Sequence, residues 1–219
     1  MKNFKKTYFP KSKFAFAISG GADSLAACHF LNRGKMDFVA VHFNNKFIPQ
    51  DDTTAIHVEK FCKQNKIPYV ILECNKTYKK GSKEDFCRKA RYDAIGEYCR
   101  KTKIKYVVTA HHLNDCVESY FMNFLKGTPE YIPIPYICKY EKFTVVRPFL
   151  LNKKLDFTEY LAYNNLTKLV VEDEMNKDMT LMRNWTRNKV LPIIEEKYKG
   201  LYKVVFKKMK KHLDAFSLT

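Results

Sequence analysis

Two carboxylates three residues apart, Asp115 and Glu118, follow two imidazoles in the run His111-His112-Leu113-Asn114-Asp115-Cys116-Val117-Glu118. On a helix this spacing puts Asp115, Glu118 and Met122 on one side. Such a pair can hold an ammonium group, with one carboxylate taking its proton. With the imidazoles it also supplies oxygen and nitrogen ligands for a divalent metal, and an acidic surface turn with capping histidines has the same spelling. A second stretch, Ser19-Gly20-Gly21-Ala22-Asp23-Ser24, stands directly after the apolar run Phe14-Ala15-Phe16-Ala17-Ile18. Adjacent glycines turn tightly and let a ligand approach the backbone. Backbone N–H groups at a helix start, with the Ser19 and Ser24 hydroxyls, make a cradle for phosphate or pyrophosphate. Asp23 suits a magnesium ion that bridges to phosphate. No Gly-Lys-Ser/Thr follows, and the spacing is not Gly-x-Gly-x-x-Gly, so neither a Walker loop nor a dinucleotide-binding turn is supported.

The elements that must carry these groups follow from the apolar pattern. Strands are expected at Phe14–Ile18, Phe38–Phe43, Pro68–Leu72 and Lys105–Ala110, with a short strand-like run ending at Arg147-Pro148-Phe149. Helices are expected after the glycine pair, over 51–65, 84–101 and 153–163, and in the stretch that carries Asp115, Glu118 and Met122. A further helix is expected from Arg183 to Glu196, with Pro192 bending or ending it. Val117, Phe121 and Phe124 offer the helix of Asp115 and Glu118 an apolar stripe for a sheet. Residues 127–140, with Pro129, Pro133 and Pro135, read as a packed or substrate-responsive loop. Strands alternating with helices indicate an α/β fold: a mostly parallel sheet flanked by helices, with ligands beyond the carboxyl ends of the strands. Residues 1–150 form the expected nucleotide-binding domain, and 151–219 a helical remainder with a basic tail.

The chain has 219 residues, 46% of them hydrophobic and 15% aromatic, enough to bury one substantial core. No stretch approaches the ~18 apolar residues needed to span a bilayer. The basic N-terminus has no hydrophobic segment of the secretory kind, so the expectation is a cytoplasmic protein without a membrane partner. The seven cysteines include no Cys-x-x-Cys pair and read as reduced, with no zinc knuckle. The formal charge of +17 points to a polyanion, nucleic acid first, against the alternative of a lysine-rich surface that binds nothing specific. In the tail, Leu201, Val204, Val205, Met209 and Leu213 alternate with Lys203, Lys207, Lys208, Lys210 and Lys211. That amphipathic pattern fits contact with RNA, with anionic lipid or with the main domain.

The hexapeptide resembles the pyrophosphate loop of the PP-loop ATP pyrophosphatases. The chain is further similar to the tRNA(Ile)-lysidine synthetases through four more stretches in the same order. They are Glu84-x-x-x-Arg88-x-x-Arg91-Tyr92, then His111-His112-x-x-Asp115-x-x-Glu118, then Arg147-Pro148. The last is Glu172-Asp173-x-x-Asn176-x-Asp178 through Arg183-Asn184-x-x-Arg187 to Pro192. The resemblance implies an adenine nucleotide alpha-hydrolase-like fold and joining of free lysine to C2 of the wobble cytidine of tRNA(Ile), with ATP and Mg2+ as cofactors. It further implies ATP or pyrophosphate binding by Ser19, Gly20, Gly21, Ala22, Asp23, Ser24, His42 and His111, with Asp23 on the metal. Lysine is implied at His112, Asp115, Glu118 and Arg183, with Asp23, Asp115, Glu118 and Arg183 catalytic and Glu118 the favoured proton acceptor. Arg88, Arg91, Arg147, Asn176 and Arg187 are implied as tRNA-binding or site-shaping.

Three departures stand out. Glu174 and Met175 replace the family's proline and hydroxyl residue, which loosens that loop; Asn114-Asp115-Cys116 replaces Asp-Asp-Gln. The chain ends at Thr219 without the C-terminal RNA-binding extension of many relatives, so tRNA grip is weaker or the lysine-rich tail compensates. Rival readings are a tRNA thiolase, an amide-forming synthetase sharing the first motif, and an RNA-binding protein on the same scaffold without catalysis.

Overall fold

A computed structural model describes residues 4–5, 7–81, 83–127, 132–171 and 178–216. The chain begins β1 (Phe14–Ala17), α1 (Ala22–Arg33), β2 (Phe38–Asn44), α2 (Pro49–Gln64), β3 (Tyr69–Glu73), α3 (Lys83–Thr102), β4 (Tyr106–Val108) and α4 (Leu113–Leu125). It continues β5 (Ile137–Lys139), β6 (Thr144–Val146), α5 (Lys154–Tyr163), α6 (Met182–Trp185), a π-helical turn at Thr186–Val190, α7 (Leu191–Tyr198) and α8 (Leu201–Phe216).

The six strands lie in the order β3-β2-β1-β4-β6-β5, all parallel except the β5–β6 pair. Side chains alternate across a strand, and the sequence uses both faces. Phe14, Phe16, Phe38 and Ala40 enter the larger core with α1, α2, α4, α5 and α8, whereas Ala15, Val39 and Val41 enter a smaller one under α3. All seven residues of β2 are buried, as befits a parallel strand covered on both sides. The larger core runs without a break from Phe16 through Phe149 and Phe157 to Leu191, Val205 and Met209. The chain winds outward from β1 to β3 on one side and resumes with β4 on the other. The β1–β4 boundary is therefore the topological switch point, where the crevice of such sheets opens. Ser19–Ser24 span the junction of β1 with α1, and His111–Glu118 that of β4 with α4.

Three expectations need correction. Residues 137–139 are not loop but β5, an antiparallel edge strand; the preceding prolines hid a three-residue element. Phe124 is 69% exposed, so the apolar stripe of α4 does not reach it. The buried side of α4 is instead Leu113, Cys116 and Val117 together with Asp115 and Glu118 themselves. Pro192 does not end the helical run that starts at Met182: α6, the π-helical turn and α7 follow one another without a gap. The proline sits in the first turn of α7, and the widened turn before it absorbs the missing N–H and the clash with the carbonyl four residues back. The tail helix α8 buries Val205, Met209 and Leu213 in the main core beside α4. No helix among the described residues is long and apolar enough to cross a membrane.

Candidate active site

The loop after β1 is built by its own serines. Ser24 Oγ donates to the Gly21 carbonyl at 2.9 Å, lies 3.0 Å from Ser19 Oγ and accepts from the Ser19 backbone N–H at 3.1 Å. Gly20 has φ +89°, and a Cβ there would stand 2.8 Å from Thr54 Cγ2 of α2, so only glycine fits. The Gly20 carbonyl accepts from Val171 N–H at 3.3 Å, which ties the chain just ahead of residues 172–177 to this loop. Asn176, with Glu172, Asp173, Glu174 and Met175, lies outside the described residues. Ala22 opens α1, and Asp23 stands in its first turn.

His112 joins the two loops. Its Nε2 is 3.3 Å from Asp23 Oδ2 and its Nδ1 is 3.3 Å from Asp115 Oδ2, with the ring almost wholly buried. Burial alone lowers its pKa, but the Asp115 and Asp23 carboxylates outweigh this and raise it. His112 is also the N-cap of α4: its backbone N–H donates to Asp115 Oδ2 at 2.9 Å, and its ring accepts from Asp115 N–H at 3.4 Å. One oxygen of Asp115 therefore holds the helix start, and the other faces the arginines.

Glu118 is 1% exposed and meets two guanidinium groups. Arg183 Nε donates to its Oε2 at 2.9 Å, and Arg187 donates through Nε to Oε1 at 2.6 Å and through Nη2 to Oε2 at 2.9 Å. Arg183 Nη2 also reaches Asp115 Oδ1 at 2.9 Å. Burial would raise the Asp115 pKa; His112, His111 and Arg183 overcome it and hold the carboxyl at about 2. Asp178 organises the approach to these arginines, accepting from Thr180 N–H and Oγ1 while its carbonyl accepts from Asn184 Nδ2.

The remaining predicted residues divide. His42 is buried at the end of β2 and its Nδ1 donates to the Ile18 carbonyl at 2.9 Å; burial lowers its pKa, leaving Nε2 as an acceptor beside the glycine loop. His111 is half-buried, with Nδ1 2.7 Å from Thr109 Oγ1 and a pKa lowered by burial to about 4. Arg147 is buried and donates to the Pro135 carbonyl at 2.6 Å, fixing the segment before β5. Arg88 and Arg91 are exposed on α3, away from the carboxylate cluster's hydrogen bonds. Sequence patterning missed Tyr202, a half-buried α8 residue whose hydroxyl accepts from Asn114 Nδ2 at 3.1 Å and feels the charge of Glu118. A tyrosine in a lysine-rich tail gives no signal of that kind.

A magnesium ion fits Asp23 in chemistry: among the described residues Oδ1 is buried without a hydrogen-bond partner while Oδ2 faces His112, and a hard cation takes such a carboxylate oxygen with phosphate and water. The metal reading of the His-His-Asp-Glu run fares worse. Both Glu118 oxygens are taken by guanidinium, and the described residues hold no cluster of three or more metal-ligating side chains. All seven cysteines are free, and burial raises the thiol pKa of Cys28, Cys62, Cys87, Cys99 and Cys116.

The chain is 32% identical over 201 residues to the tRNA(Ile)-lysidine synthase of Actinobacillus pleuropneumoniae, covering 90% of this chain and 47% of that one. It is 30% identical over 214 residues to that of Borrelia garinii, covering 92% and 47%. The chain spans about half the length of the curated relatives it matches. Among solved structures, a U34-tRNA thiolase from Methanococcus maripaludis, determined with its 4Fe–4S cluster, superposes with a TM-score of 0.76. The match has 16% identity over 93% of this chain and 72% of that one, a likeness of fold. Residues 1–194 match the PP-loop domain, and the chain belongs to that family.

Proposed function

We propose that the chain ligates lysine to C2 of the wobble cytidine, position 34, of tRNA(Ile) with ATP, giving lysidine, AMP and pyrophosphate. The observation that carries the reading is His112, which links Asp23 of the pyrophosphate loop to Asp115 of the carboxylate pair. The two motifs are thereby joined through one side chain. The identity of about 30% to lysidine synthases supports the same substrates.

In the first step the C2 oxygen of cytidine attacks the α-phosphorus of ATP and pyrophosphate departs. Backbone N–H groups and hydroxyls of Ser19–Ser24 hold the β- and γ-phosphates. Asp23 would hold Mg2+, which supplies charge neutralisation on the phosphate oxygens. His42 and His111, both with pKa values lowered by burial, serve the nucleotide side without adding charge. In the second step the lysine amine attacks C2, and AMP leaves with the former C2 oxygen. Asp115 and Glu118 orient the ammonium, and Glu118 accepts its proton. Because guanidinium N–H groups occupy both Glu118 oxygens, lysine reaches it by replacing at least one arginine contact. Arg183, so released, faces the substrate carboxylate or the departing AMP phosphate as a bidentate donor.

The test is incorporation of labelled lysine into tRNA(Ile) with ATP and magnesium, scored with AMP release. Incorporation that disappears when the first anticodon cytidine is replaced supports the reading. AMP release without lysine incorporation sinks it in favour of another adenylating substrate, and tRNA binding without AMP release in favour of a non-catalytic RNA binder.

A further inference from the structure

We infer that the outward face of α8 is a docking surface for the phosphate backbone of an RNA stem, at the end of the stem nearest the reacting loop. The inference rests on the reading above for the identity of the RNA, and on geometry for the rest. α8 turns Val205, Met209 and Leu213 into the core; Lys203, Lys207, Lys210 and Lys211 are exposed on the opposite side. At 3.6 residues per turn these four form one stripe about 12 Å long. Among the described residues none of the four pairs with a carboxylate, whereas Lys46, Lys63, Lys76 and Lys142 elsewhere do. Asp214 is the one acidic residue of the helix, near its end. Two neighbouring cations are already used: Lys208 lies over the Tyr120 ring and Lys5 over Phe206.

The helix that carries the stripe starts beside the active site. Tyr202 bonds Asn114, next to Asp115, and Lys208 meets Tyr120 further along α4, so α8 runs beside α4 in the same direction, away from the carboxylates. A linear, outward-pointing row of lysines suits a polymer of phosphates better than a single anion, which needs donors that converge. A bilayer is the poorer fit, because the apolar face that would enter lipid is spent in the core. The +17 charge of the chain adds long-range attraction for the same partner.

The experiment measures affinity for a labelled anticodon stem–loop with cytidine at the first anticodon position, and for whole tRNA, across about 50–200 mM salt. The wild type is compared with K203A/K207A/K210A/K211A and with the four-arginine counterpart, with thermal midpoints recorded for each. The alanine variant is expected to bind at least tenfold more weakly at low salt, with a salt slope shallower by about 3 to 4, roughly one for each phosphate no longer neutralised. The weakening should be equal for stem–loop and tRNA, and the arginine variant should restore affinity. An unchanged slope overturns the inference. So does a weakening confined to whole tRNA, or a loss of binding to phosphatidylserine vesicles while RNA binding persists. Lysine incorporation is assayed in parallel. A wild type that binds RNA through α8 but incorporates no lysine defeats the proposed reaction and leaves the docking surface standing.

Discussion

At Glu118, two guanidinium groups balance two carboxylates in a setting where one carboxylate is almost fully buried. Removing one member of such a set costs more than removing a balanced pair, because the charge left behind loses its partner. Glu118→Gln should therefore lower stability by about 2–4 kcal/mol in urea unfolding, the upper figure being reduced because both arginines are partly exposed. E118Q/R187M should lose less than the two single losses added, and strict additivity would show that the two residues act independently. His111 gives a pH prediction. Its folded pKa of about 4 lies below the usual value, so between about 4 and 6.5 the unfolded chain binds a proton that the folded chain refuses. Stability should fall as pH drops through that window, by on the order of 2 kcal/mol once solvent access to the half-buried ring is allowed for. His111→Gln should flatten this limb in urea midpoints taken between about pH 4.5 and 7; an unchanged limb would falsify the assignment. The face shared by Asp115 and Glu118 is legible from spacing alone. Their saturation by Arg183 and Arg187 is not, because the partners stand 65 to 69 residues away and nothing local specifies them.

The pyrophosphate loop depends on α2 as much as on its own glycines. Gly20→Ala forces both a left-handed φ and a contact at 2.8 Å with Thr54 Cγ2. It should cost about 2 kcal/mol or more and sharply reduce AMP release. Thr54→Ser removes the clashing methyl but not the backbone strain. The double variant should recover part of the stability, and full recovery would mean that φ carries no penalty here. The alternation of strands and helices, and the placing of both motifs after strands, could be read from apolar runs and glycines. β5 could not: three residues behind prolines give no periodicity, and their pairing with β6 is set by tertiary contact. Phe124 misled for a related reason. Helical spacing names a stripe, but the width of the buried face depends on where α8 lies, and α8 is a remote element.

Across the whole molecule, α8 closes a core that begins at Phe4 and β1. Met209 is fully buried, and Met209→Ala should cost about 2–4 kcal/mol through reduced burial and the cavity left behind. Thermal unfolding should remain a single transition, because the same core joins α8 to the sheet; a separate early transition would show that α8 unfolds on its own. The same wiring orders events in time. A chain made from its N-terminus has its phosphate loop in hand on the order of ten seconds or more before Arg187 emerges, at ordinary synthesis rates. Over the later part of that interval Glu118 has been made while both of its guanidinium partners are still to come. A growing chain thus carries both carboxylates before the arginines that neutralise them, and the cluster is balanced only when Arg183 and Arg187 close onto Asp115 and Glu118.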